Sequence, residues 1–137
     1  MDRMETASAD ADGPAGPVGL VMTDPNAEDD PIFYVNDAFQ RITLYSADFA
    51  VGRNCRFLQG EQTEPEALQR LRDGLAAGEE FEVILTNHRA DGSPFRNRLI
   101  IAPVHGRDGA LTAQVGVMRG VDASDGDAPD TASLDLL

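Results

Sequence analysis

Two Asp-Gly pairs constrain this chain more than any other feature. Asp91-Gly92 and Asp108-Gly109 each separate runs rich in β-branched and aromatic residues. Asp-Gly suits a hairpin turn, where glycine takes a left-handed conformation at little cost. Residues 80–89, 95–103 and 110–119 therefore read as three antiparallel strands, with turns at 90–93 and 106–109. Two shorter strands precede them, at 17–23 and 32–35, parted by Asp24-Pro25 and an acidic loop at 26–31. Helical signals fill the middle. Asn36 caps 37–43, Ser46 caps 47–49, and Pro65 opens a helix over 64–77 whose Leu68, Leu71 and Leu75 recur at helical spacing before Gly78 stops it. Such segregation predicts an α+β domain: a five-stranded antiparallel sheet with short helices packed on one face.

A chain of 137 residues has room for one core. Residues 1–16 read as a flexible arm and 17–119 as the domain. Residues 120–137, with five aspartates and no base, read as an acidic tail ending in a short helix at 131–137. The net charge of −13 argues against nucleic acid or an anionic membrane as partner. No apolar run approaches the roughly 20 residues of a bilayer span, so a cytoplasmic location is expected. One cysteine excludes an internal disulfide and a multi-cysteine zinc site.

Alternation places Asn87, Asn97, Leu99, Ile101, Gln114, Gly116 and Met118 on one sheet face. A four-residue loop at 106–109 would set Asn97 opposite Met118, Leu99 opposite Gly116 and Ile101 opposite Gln114. Two amides within an apolar face cost free energy unless satisfied. One reading is a planar heterocycle lying over Gly116 with its imide edge held by Asn87 and Asn97. The other is two strand-end amides bonded to water or turn backbone. Spacing alone leaves both open.

The stretch from Gly52 to Gly60 decides between them. Its Asn54-Cys55-Arg56-Phe57-Leu58-Gln59-Gly60 resembles the signature of the light-oxygen-voltage (LOV) class of PAS domains. The resemblance extends to Leu20–Pro25, Asn36-Asp37-Ala38-Phe39, Tyr45-Ser46, Gly52, Arg72, Asn87, Asn97 and Gly116-Val117, covering roughly residues 18–119. It implies a blue-light photoreceptor that binds flavin non-covalently, as flavin mononucleotide (FMN) with FAD or riboflavin as the other forms. Cys55 would then be the residue that bonds reversibly to the illuminated ring. Arg56 and Arg72 would hold the phosphate, Asn54 and Gln59 the ribityl chain or pyrimidine edge, and Asn87 and Asn97 that edge. Val21, Thr23, Ile32, Leu58, Leu68, Leu71, Leu75, Leu85, Leu99 and Ile101 would line the cavity, with Gly116 and Met118 on the sheet beside them.

Three positions depart from the family pattern. Met118 stands where a glutamine usually faces the reactive edge of the ring, and a thioether accepts weakly and donates nothing. Gln114 stands where an aromatic is common, and Gly19 where a polar residue is common. No output domain is visible, which suggests a "short" LOV protein and no enzyme. Signalling is expected through the termini to an unknown downstream protein or through a homodimer. The arm, or an outer sheet face carrying Ile84, Ile100, Val115 and Val117, would form the dimer contact. The alternatives are a light-independent flavin redox sensor and a PAS interaction module. A cysteine hydrolase fits least, because His88 and His105 fall near strand ends and no oxyanion motif accompanies Cys55.

Overall fold

The computed structural model describes residues 12–13 and 16–121. Five strands form one antiparallel sheet: β1 (Gly19–Thr23), β2 (Ile32–Val35), β3 (Phe81–His88), β4 (Pro94–His105) and β5 (Leu111–Val121). Their spatial order is β2-β1-β5-β4-β3. Between β2 and β3 lie α1 (Asp37–Thr43), α2 (Ala47–Ala50), a 3-10 turn (Cys55–Leu58) and α3 (Pro65–Ala77). The α+β reading and the sheet hold. The acidic tail beyond residue 121 and its expected helix lie outside the described residues, as does most of the arm. Within the arm, Asp12–Gly13 pairs with Gly16–Pro17 in a two-residue ladder, so β1 starts at Gly19 rather than at 17.

The helices start where their caps place them. Asn36 Oδ1 accepts from Phe39 N at 2.9 Å and also from Leu20 N at 2.9 Å, while its Nδ2 donates to the Val18 carbonyl. One side chain therefore caps α1 and ties it to the first strand. Ser46 caps α2 in the same manner through Phe49 N. Gly78, at φ 71°, closes α3 in the left-handed region. In the last turn of α3, Gly74 admits the Phe81 ring, which a Cβ there would meet at 2.4 Å.

The edges of the sheet are engaged. The Thr86 N–H donates to Glu64 Oε1 at 2.9 Å and the Thr86 carbonyl accepts from Thr63 Oγ1 at 2.6 Å. Arg70 Nε donates to the Glu82 carbonyl. At the other edge, Ile32 exchanges backbone bonds with Gly52 and Arg53.

The β4–β5 register differs from expectation by two residues. The turn runs through five residues, with Gly106 N bonded to the Ala110 carbonyl, and a bulge follows between Val104 and His105. Asn97 therefore faces Gly120, Leu99 faces Met118 and Ile101 faces Gly116. The displacement is even, so every side chain keeps its face. The last strand also continues two residues beyond 119, because Asn97 and Arg96 still have partners to offer Gly120 and Val121.

The core lies between the sheet and the helices, around Val21, Ile32, Phe39, Leu58 and Met118. The outer face is less bare than the sequence suggests. Ile100 is 3% exposed, Ile84, Val115 and Val117 are half-buried, and Arg98 pairs with Glu82 at 3.4 Å beside them. Among the described residues no helix is long and apolar enough to cross a membrane.

Candidate ligand-binding site

A cavity opens between the inner sheet face, the 3-10 turn and α3. Its volume is about 140 Å³.

The 3-10 turn supplies one wall. Asn54 Oδ1 accepts from Arg56 N at 2.9 Å and so caps the turn, while its Nδ2 donates to the Asp29 carbonyl at 2.7 Å. In a 3-10 turn, residues three apart eclipse. Cys55 and Leu58 therefore face the cavity together, joined by Arg56 and Gln59. Phe57 points the other way, edge-on to Tyr45 at 4.8 Å and to Phe49 at 5.3 Å. This aromatic cluster braces the turn from behind, and Arg53 lies over the Phe49 ring at 3.9 Å.

Burial pushes the Cys55 thiol up from its ordinary value of 9.0 to about 12, with the negative charge of Asp30 adding to the effect. Cys55 is thus a neutral thiol at pH 7. Neither histidine lines the cavity.

The sheet supplies the opposite wall: Val21, Thr23, Leu85, Asn87, Asn97, Leu99, Ile101, Gln114, Gly116 and Met118. Asn97 Nδ2 donates to Asn87 Oδ1 at 2.9 Å, so the two amides form one buried pair. Asn97 Oδ1 is left buried without a hydrogen-bond partner. In a dry site such an acceptor costs about 1–3 kcal/mol unless something donates to it. Gly116 is buried here, but the space above it is not open as expected. A Cβ on Gly116 would meet Val21 Cγ1 at 2.8 Å, because these two residues pair across β1 and β5. The glycine thus lines the cavity and also makes room for Val21.

Leu71 and Leu75 close the cavity from α3. Three expected members lie elsewhere. Leu68, one turn before Leu71, packs over Ala67, Val83 and Leu85. Arg72, about 100° round the helix from Leu71, is exposed and donates to Gln69 Oε1 at 3.0 Å. Ile32 is 1% exposed in the main core, because the irregularity at Met22/Thr23 breaks the alternation of β2 and turns both of its ends inward.

Two features escaped the sequence. Asp30 lines the cavity, from what reads as an ordinary acidic loop. Arg56 Nη2 donates to both carboxylate oxygens of Asp29 at 2.6 Å, an ion pair with each partner 57% exposed. Two consecutive left-handed residues, Asp29 (φ 67°) and Asp30 (φ 50°), carry this loop. No sequence pattern signals such a conformation for aspartate, where it is uncommon.

A PAS domain family model matches residues 17–121. Blue-light-activated histidine kinase 2 of Erythrobacter litoralis is 42% identical over 117 residues, which are 85% of this chain and 33% of that protein. A blue-light-activated histidine kinase of Brucella anthropi is 41% identical over 95 residues, 69% of this chain and 19% of that protein. The chain thus spans a third or less of these curated relatives. Among solved structures, the LOV domain of the Erythrobacter litoralis EL346 blue-light activated histidine kinase superposes with a TM-score of 0.72 at 42% identity, covering 77% of this chain and 96% of that one. A light-oxygen-voltage domain studied with a flavin analogue gives a TM-score of 0.76 at 38% identity, covering 85% of this chain and 84% of that one.

Proposed function

The chain belongs to the PAS domain family, in its light-oxygen-voltage class, and from that premise we propose that it is a blue-light photoreceptor holding a flavin non-covalently in the cavity beside Cys55. The observation that carries this reading is the orphaned Asn97 Oδ1. It sits on the cavity wall opposite the cysteine, and a flavin's imide N–H is a donor of the kind it lacks. The donor set fits in other respects: an amide pair for a polar ring edge, and Leu85, Leu99 and Ile101 for a flat apolar body.

When excited by blue light, a bound flavin supplies an electrophilic ring carbon to which a thiol adds reversibly. The chain supplies the rest. Cys55 would supply that thiol, sulfur and proton together, from the 3-10 turn. The raised thiol pKa keeps that proton in place in the dark. Asn87 and Asn97 orient the polar edge. Met118, 2% exposed on the cavity wall, offers no donor, so the usual glutamine reorientation has no counterpart at this position.

FMN is the form first expected from the family signature. The role is that of a sensor rather than an enzyme, with output through a homodimer or a protein partner.

An absorption spectrum in the dark and after blue light tests the reading. A structured flavin band that bleaches and fully recovers supports it. A bound flavin that never bleaches points to a redox module, and a colourless protein that takes up no flavin rejects a flavin site.

A further inference from the structure

The mouth of the cavity carries a charge arrangement that the phosphate-anchor expectation does not explain. Of the two arginines expected at a phosphate, Arg72 lies off the cavity and Arg56 is held by both oxygens of Asp29. Asn54 fixes the Asp29 backbone through its carbonyl, so this pairing is tied to the same turn that presents Cys55. The neighbouring Asp30 lines the cavity, and its Oδ1 is buried without a hydrogen-bond partner. The mouth therefore presents one guanidinium against two carboxylates.

A phosphate accepts hydrogen bonds and carries negative charge. It satisfies no acceptor, is repelled by Asp29 and Asp30, and meets in Arg56 a guanidinium whose charge Asp29 already balances. A polyol chain carries hydroxyl donors and no charge, which is what the unpartnered Asp30 oxygen lacks.

We infer that Asp29 and Asp30 set the tail end of this site for an uncharged ribityl chain, Asp29 acting as a competitor for Arg56 that removes most of the advantage of a phosphate. Riboflavin and FMN then bind with similar affinity, and Asp29 is the residue that determines this selectivity. The inference rests on the flavin reading above. An exposed ion pair of this kind contributes little, about 1 kcal/mol or less, which bounds the effect to a few-fold.

The test is titration of the flavin-free chain with riboflavin and with FMN, followed by fluorescence quenching. In the wild type the two Kd values are expected to agree within about threefold. Asp29→Asn is expected to raise the preference for FMN about fivefold. Adding Arg56→Gln to that variant should return the preference to the wild-type ratio. Circular dichroism on each variant verifies folding. A wild-type preference for FMN above about tenfold, or a ratio that Asp29→Asn leaves unchanged, overturns the inference and leaves the flavin reading standing. Failure of the wild type to bind either flavin overturns both.

Discussion

Met118 is seated against Gly19: the two residues pair across β1 and β5, and a Cβ on Gly19 would stand 2.7 Å from Met118 Cγ. The same Cβ would lie 3.2 Å from the Phe39 Cα, where backbone cannot easily yield. Gly19 and Met118 are thus one packing unit. Gly19→Ala is expected to destabilise the fold by about 1–3 kcal/mol. In urea unfolding, Gly19→Ala combined with Met118→Ala should recover part of that loss, a coupling that additive effects would not produce.

Met118→Gln places a donor on the cavity wall. With flavin bound, the visible absorption band is expected to shift to the red through a new hydrogen bond to a ring carbonyl. An identical spectrum would show that residue 118 does not reach the ring.

Cys55→Ala is expected to abolish light-induced bleaching while leaving a bound, fluorescent flavin. It also has a pH signature without light. The folded thiol ionises at about 12 and the unfolded one near 9.0, so the folded state holds the proton longer. The resulting stabilisation is complete below pH 9 and declines as pH rises from 9 towards 12, by about 1.4 kcal/mol per unit. Urea midpoints at pH 8 and pH 10 should therefore diverge more for the wild type than for Cys55→Ala.

Glu64 responds in the opposite sense. Burial raises its carboxyl, but hydrogen bonds from Thr86 N–H and Oγ1 and the charge of Arg96 outweigh burial and hold it below the usual range. Its contribution is complete above the ordinary value of 4.5 and is lost as pH falls through the lowered one. Glu64→Gln is expected to cost about 1 kcal/mol at neutral pH, and to flatten the acid limb of a stability-against-pH curve.

The local elements were legible because their signals are local. Asn36 and Ser46 each cap the helix they precede, and the Asp-Gly pairs at 91–92 and 108–109 place the hairpins. What depended on a count of residues across a loop was less secure: one extra turn residue and one bulge displaced the pairing of Met118, though not its face. Side-chain direction was the weakest link. Leu68 and Leu71 pack against the same satellite core, yet only Leu71 reaches the cavity, and Arg72, one residue on, turns to solvent. Asp29 and Asp30 reach the mouth through backbone angles that no composition signal announces.

The bonds at the rims of the sheet bear on how the protein behaves when crowded. Along β3, the outward backbone groups of Thr86 and the carbonyl of Glu82 are already taken, and at β2 those of Ile32 are taken. A foreign strand docking on either rim would find the hydrogen-bond ladder interrupted within a few residues. Copies of this chain thus meet a built-in obstacle to zipping edge to edge.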